Sequence, residues 1–425
     1  MSTGLAGVGT PSSWQWWPLK HAVLSINRGS APDYVDDGPV WAVSQAANQP
    51  EGLDWNRARF HTFGGNPANL KGLLRPDDVL VNSTGRGTLG RVGYFSGTPD
   101  GRMAMADGHV TRVRVRREVL DPRYAYYYLS SEPFQHYIYS ALIVGATNQI
   151  ELVGERLASA PVPMPPIEEQ RRIADFLDGA TRYPVRLGEI HERLREVIKE
   201  RRWSLFQRLV EEVQAPLIPL RRAIRFITDG PFGSAFSSSD YSEEGAAVVR
   251  LGNIGFAEYR AGEQAFIPLD LYRKFHRHKV SAGDLLIAGL GDSRNHAGRA
   301  CVAPDLGPAI VKGKCFCARV NRKAADPRFL SLLLSSPLGV QAMDSRGSTR
   351  SMINLEVVKS AVVPLPNLSD QLRIARTMNS ADEVQQRVVT AVSHQEAMLI
   401  ERRQALITAA VTGQFDVTTA SAVDA

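Results

Sequence analysis

The sequence predicts an α+β protein with two tandem β-rich domains separated by two long helices that pair as an antiparallel coiled coil. Three observations predict it. The 425-residue chain repeats itself at a shift of about 200, the mark of a duplicated structural unit. Each copy opens with short apolar-alternating runs broken by Gly, Pro and Asn, a strand-and-turn pattern. Each copy then closes on a Pro-rich stop followed by strong helix formers.

The repeat is read from matches in order. Pro18-Leu19-Lys20 returns as Pro219-Leu220-Arg221, and Pro163-Met164-Pro165 as Pro364-Leu365-Pro366, both shifted by 201. Between them Asp121-Pro122-Arg123-Tyr124 returns as Asp326-Pro327-Arg328-Phe329, shifted by 205. Gln170 with Arg172-Ile173-Ala174 matches Gln371 with Arg373-Ile374-Ala375, and Glu200-Arg201-Arg202 matches Glu401-Arg402-Arg403. Five ordered matches at nearly one offset are not chance. The boundaries that follow are a first globular domain at 1–166, a helical segment at 167–214, a second globular domain at 215–366 and a second helical segment with the C-terminal tail at 367–425.

The strands of the globular copies are marked by runs such as Asp78 to Asn82 and Val110 to Val115. The first helical segment carries Leu187, Ile190, Leu194, Val197, Leu205 and Leu209 at helical spacings, and the second carries Val388, Ala391, Met398, Leu399, Leu406 and Ala409. Such a stripe either lies on its own domain or meets a partner helix, and a duplicated stripe favours an antiparallel pair. Pro184 falls inside the first segment, where it interrupts the helical pattern. A helix of about 25–30 residues would span about 40 Å, roughly one turn of duplex DNA and the spacing of half-sites in dimeric DNA readers.

Composition narrows the function classes. The chain is 44% hydrophobic and 22% charged, with a net charge of +6. No apolar run is long enough to span a membrane and no signal-peptide pattern opens the chain, so it reads as a soluble cytoplasmic protein. Residues 215–366 hold 20 Lys and Arg against 13 Asp and Glu, an excess of seven that favours a polyanion. The first copy is nearly neutral and relies on local patches such as Arg112, Arg114, Arg116 and Arg117, alternating arginines expected on a solvated strand face. Cys301, Cys315 and Cys317 are too few for a disulfide framework and read as buried strand cysteines rather than a metal half-site.

Catalytic motifs do not emerge. Gly85-Arg86-Gly87-Thr88-Leu89-Gly90 matches G-x-G-x-x-G, but Arg91 to Phe95 continues as a strand where a dinucleotide fingerprint would open a helix. The matching place in the second copy, Leu285 to Arg299, keeps a Gly-rich polar loop without the spacing. A loop shared without a shared cofactor pattern suggests a surface-reading loop. No phosphate-binding P-loop, methyltransferase signature or nucleophile elbow is present.

The two Pro-rich junctions, leading into Glu168-Glu169-Gln170-Arg171-Arg172-Ile173-Ala174 and Ser369-Asp370-Gln371-Leu372-Arg373-Ile374-Ala375, resemble the specificity subunit of type I restriction-modification systems. The resemblance extends to Ile227–Phe236, with Thr228-Asp229-Gly230-Pro231-Phe232-Gly233-Ser234, to Val249–Ile254, to Ser83–Val92 and to Leu406–Gly413. The first copy lacks the Asp-Gly-Pro-Phe-Gly-Ser motif of the second.

The resemblance implies two target-recognition domains, each reading one half of a bipartite asymmetric site in double-stranded DNA, and helices that set the spacing and dock two methyltransferase subunits. It implies no catalysis and no cofactor in this chain: S-adenosylmethionine would sit on the methyltransferase partners, and ATP with Mg²⁺ on restriction subunits where these join. Base readout needs polar side chains at base edges and phosphate contacts that set register. The candidates are Asn82, Ser83, Thr84, Arg86, Thr88 and Arg91 in the first copy. In the second they are Ser234, Ser238, Tyr241, Arg250, Ser293, Arg294, Asn295, His296, Arg299, Lys312 and Lys314. The competing reading is a protein-interaction scaffold with duplicated binding domains. A complete nuclease or methyltransferase is disfavoured by the missing signatures.

Overall fold

In the computed structural model the described residues are 4–417, apart from 6, 51, 86, 146–149, 232–237, 263, 293–294 and 345–351. The chain forms two compact units, one of Met1–His191 with Val392–Ala425 and one of Glu192–Ala391. Each unit therefore contains one globular copy, half of the first long helix and half of the second.

The same topology is built twice. In the first unit an antiparallel four-stranded sheet has the order Val23–Arg28, Val110–Val115, Asp78–Asn82, Val92–Phe95. Its counterpart in the second unit is Ile224–Asp229, Cys315–Val320, Leu285–Ala288, Ala300–Val302. A second sheet in each unit contains one parallel pair, Val40–Val43 with Met103–Ala106 and Ala246–Val249 with Ala309–Val311. Asp78–Asn82 and Leu285–Ala288 are buried along their whole length, so the one-sided burial that an alternating run at 78–82 implies is not what the sheet shows.

One short helix packs on each four-stranded sheet, Pro122–Ser130 and Pro327–Ser335. Asp121 and Asp326 cap them, each accepting two backbone N–H groups, and proline occupies the first turn, the arrangement that satisfies otherwise orphaned donors. The Pro-rich junction then forms a strand against the start of its own copy: Pro161–Met164 pairs with Gln15–Pro18, and Val362–Pro364 with Leu217–Pro219.

The long helices are Ile167–Glu212 and Leu368–Val411, of 46 and 44 residues, matching the extent of the helical segments read from the sequence and longer than the 25–30 residues used for the spacing estimate. The first spans position 184, where the sequence reading placed an interruption. Within the first unit its N-terminal half packs with the C-terminal half of the second helix, through Ile173, Phe176 and Leu177 with Ile407, Ala410 and Val411. Within the second unit the halves exchange roles, with Phe206, Leu209 and Val210 beside Ile374, Ala375 and Met378. The pairing is antiparallel, as the duplication predicts.

The seam is not the expected stripe. Ile190, Val197, Val388 and Met398 are exposed, and of the predicted positions Leu209 lies in a core cluster with Leu205 packed against it. The middle of the pair is polar instead: His191 Nδ1 lies 3.0 Å from a Glu396 carboxylate oxygen. Arg202 grips Asp382 with Nε to Oδ1 at 2.7 Å and Nη2 to Oδ2 at 2.8 Å.

The expectation of a solvated arginine face holds for Arg116 and Arg117, which are exposed, and changes for Arg112 and Arg114. Arg114 is half-buried and makes a fork to Asp78 at 2.7 and 2.6 Å. Arg112 is half-buried and donates to the Leu73 carbonyl at 2.6 Å. The three cysteines are buried on strands as expected. No helix among the described residues is long and apolar enough to cross a membrane.

Candidate nucleic-acid interface

In the second unit the strand Ala246–Val249 runs into a tight turn at Leu251–Asn253. The turn is held by Asn253, whose Oδ1 accepts from the Arg250 amide at 2.8 Å while Nδ2 donates to the Arg260 carbonyl at 2.9 Å. Strand Ala309–Val311, parallel to it, ends beside this turn and delivers Lys312, Gly313 and Lys314. Between them opens a cleft of about 600 Å³ lined by Arg250, Asn253, Lys312 and Lys314 together with Leu251, Gly252, Gly262 and Gly313. Three cationic side chains of the sequence list thus meet at one cleft. Tyr241 joins them, because Lys312 Nζ lies 2.8 Å from its hydroxyl and 4.7 Å from its ring centroid.

Gly230, from the Asp-Gly-Pro motif, sits directly behind this wall. A Cβ there would lie 2.4 Å from the Lys312 carbonyl carbon and from the Gly313 amide nitrogen, so only glycine permits the approach,. Gly29 takes the same place in the first copy, where a Cβ would meet the Ala106 carbonyl oxygen at 2.1 Å. The first copy lacks the motif's neighbours but keeps the one residue the backbone requires. Sequence reading did not pair Gly29 with Gly230, although their shift of 201 is that of the repeat.

Arg299 is corrected from a DNA contact to an internal brace. It is 4% exposed. Nε donates to the Ile254 carbonyl at 2.8 Å and Nη2 to Leu251 at 3.1 Å, while Nη1 donates to Leu290 at 3.1 Å and His296 at 2.9 Å. Burial lowers its pKa from the ordinary guanidinium value. The side chain ties the 290–299 loop to the turn that lines the cleft. In that loop Asn295 is held by the Asp292 carboxylate at 3.1 Å, and His296 Nε2 lies 3.2 Å from the Ser335 carbonyl oxygen. Ser335 Oγ accepts from the Ala257 and Ala300 amides, each at 3.0 Å, and so fixes Ala257 in its left-handed conformation (φ 61°),. Sequence reading missed Asn253 and Ser335, which carry no pattern beyond ordinary turn and helix composition.

In the first unit Asn82 and Ser83 are also corrected. Both are fully buried. Asn82 accepts from Asn48 Nδ2 at 2.9 Å and donates to the Gln45 carbonyl at 3.2 Å; Ser83 shares a hydrogen bond with Thr111. Polar atoms sealed in this way cannot meet a base edge. Thr84, Thr88 and Arg91 are partly exposed: Thr84 Oγ1 is 2.7 Å from His109 Nδ1, and Arg91 Nη1 donates to the Asn48 carbonyl and Gln49 Oε1 at 3.1 and 3.0 Å. Arg86, Ser234, Ser293 and Arg294 lie outside the described residues, as does the side chain of Ser238. Gly85, Gly87 and Gly90 all have positive φ, and the chain continues into strand Val92–Phe95 rather than a helix, so the glycines shape a turn and not a dinucleotide cradle. Among the described residues no group of three metal-ligating side chains is assembled.

The family model described as the type I restriction modification DNA specificity domain matches residues 70–199 and 280–390, one stretch in each copy and more than half of the chain. The chain belongs to this family. Type I specificity subunits are DNA sequence-specificity subunits, and the two matched stretches fit the duplicated fold. The chain is 23% identical over 413 residues to the type I restriction enzyme EcoBI specificity subunit of Escherichia coli, covering 87% of this chain and 82% of that one. It is 20% identical over 336 residues to the type I restriction enzyme MjaVIII specificity subunit of Methanocaldococcus jannaschii, covering 74% and 75%. Among solved structures, a chain described under the structural basis of complex assembly and conformational transition of the type I R-M system aligns with a TM-score of 0.61 at 17% identity. The alignment covers 96% of this specificity subunit and 99% of that chain, a likeness of fold.

Proposed function

We propose that each unit of this specificity subunit reads one half of a bipartite, asymmetric DNA site, and that the paired long helices fix the unread gap between the halves. The observation that carries this reading is the repeated sheet topology, in which one copy holds a cationic cleft at Arg250, Lys312 and Lys314. The excess of basic residues at 215–366 supports phosphate contact by the second copy,. The chain supplies address and not chemistry: methyltransferase subunits would bring S-adenosylmethionine, and restriction subunits ATP and Mg²⁺. Support for docking of two methyltransferase subunits comes from the exposed apolar side chains on the long helices, Ile190, Met398 and Ile400 in one unit and Val197, Val384 and Val388 in the other.

Sequencing of methylated bases on DNA treated with the assembled methyltransferase complex tests the reading. The expected result is one motif in two parts separated by a fixed gap. Exchange of residues 250–262 and 312–314 for those of another specificity subunit should change only one part. A continuous motif, or both parts unchanged after the exchange, overturns it.

A further inference from the structure

The duplication supplies an internal control for one arginine. In the second unit Arg202 is neutralised by the Asp382 fork, and its Nη1 reaches the Phe256 carbonyl at 3.5 Å. In the first unit the equivalent residue, 201 positions later, is Arg403. It keeps the backbone contact, with Nη1 3.4 Å from the Pro50 carbonyl oxygen. The carboxylate is gone: the position of Asp382 is held by Thr181, whose hydroxyl donates to the Leu177 carbonyl at 2.7 Å and lies 3.3 Å from the Tyr127 hydroxyl. Arg403 Nη2 has only the Tyr126 hydroxyl, at 3.4 Å, and Arg403 Nε is buried with no partner.

Arg403 lines a cavity of about 290 Å³ in the first unit, shared with Gln404, Arg91, Thr88, Tyr126 and Gln135. Gln404 Oε1 is also buried without a partner, and its amide can turn to present Nε2 as a donor. Among the described residues, Arg91 is held by neutral oxygens. Two guanidiniums thus border one cavity with no carboxylate of a described residue paired to either, an arrangement that an oxyanion completes. Arg403 stands on the second long helix and Arg91 immediately before strand Val92–Phe95. A tetrahedral oxyanion offers oxygens to both, whereas a planar carboxylate serves one fork. We propose that this cavity is a phosphate-binding site, filled by a phosphodiester of the bound duplex or by a free phosphate group.

The phosphodiester source rests on the DNA-recognition reading; the free-phosphate source does not. Two variants test the site, Arg403→Gln and Thr181→Asp, the second restoring the internal carboxylate that Arg202 enjoys. Thermal unfolding of the full-length chain is followed with and without inorganic phosphate at constant ionic strength, and duplex affinity of the methyltransferase complex is followed across salt. A saturable phosphate-dependent rise in Tm that both variants lose supports the site with free phosphate as its ligand. A salt dependence weakened in both variants by about one phosphate contact supports the duplex as the source. Unchanged phosphate response and unchanged salt dependence in both variants overturn the proposal. So does a loss confined to binding of a partner subunit, which would assign the fork to an acidic protein side chain. Failure of the recognition reading is separate, because it appears as absent sequence preference in the unmodified complex.

Discussion

The backbone amide of Asp326 donates to Oε1 of Gln371 at 2.9 Å, and the amide of Asp121 makes the same bond to Gln170 at the same length. Each glutamine then spends its Nε2 on two carbonyls, Ala324 and Pro366 in one unit, Val119 and Pro165 in the other. Both side chains are buried. The Pro-rich junction followed by Gln is therefore a latch that locks the first turn of each long helix to the cap of a short helix in its own globular copy. Replacing Gln371 with Leu leaves one donor and two acceptors without partners, each costing roughly 1–3 kcal/mol. Urea unfolding of that variant should show a loss of at least 2 kcal/mol, and Gln170→Leu should show a similar loss; a change near zero in either would remove the latch.

How much of this was legible in the sequence depends on what kind of interaction holds each residue. The latch was visible as a motif because all its parts recur at shifts of 201 and 205. The helix seam was misread because each long helix packs on two different cores. Ile173, Phe176 and Leu177 serve one end and Phe206, Leu209 and Val210 the other, so no single period runs the full length. Arg299 and Asn82 look like loop polarity in sequence, and only the fold shows that neighbouring backbone carbonyls and amides consume their donors and acceptors.

Arg299→Met removes a cation that serves four carbonyls from two loops. The expected cost is about 3 kcal/mol, confined to the second unit. Specificity should suffer before affinity, since Lys312 and Lys314, the proposed phosphate contacts, remain while the turn at 251–254 loses its register. Methylation by the variant complex should therefore tolerate substitutions in one half of the site and keep the other half strict. Equal loss in both halves would contradict a local brace.

The thiols give a pH signature. Burial pushes Cys301 and Cys315 from the ordinary 9.0 up to about 12, and Cys317 higher still, with Asp284 adding to the rise. Between 9.0 and about 12 the unfolded chain ionises these groups while the folded chain holds their protons, so stability falls as pH rises through that window. Below 9.0 the thiols contribute no slope. Native protein at pH 8 should leave all three unreacted with a thiol reagent, and urea should expose all three together. Rapid reaction of the native protein would show that this strand region opens locally.

The exposed apolar residues on the long helices are the proposed docking surface, distinct from the residues that pack in the cores. Val384 and Val388 are four residues apart and share a helix face; both are exposed, while Ile374 and Met378 on the same helix are buried in the core. A double Val384→Asp, Val388→Asp variant should therefore leave Tm within a degree or two of the unmodified chain, because no buried contact is lost. If this face receives a methyltransferase subunit, the variant should weaken its binding tenfold or more, the loss of about 1.4 kcal/mol expected when a desolvated apolar anchor becomes charged. Titration calorimetry with the isolated methyltransferase subunit reads the second quantity directly. Met398→Asp tests the face in the other unit in the same way. Full-strength binding to both variants would move the docking surface off the helices and onto the globular copies.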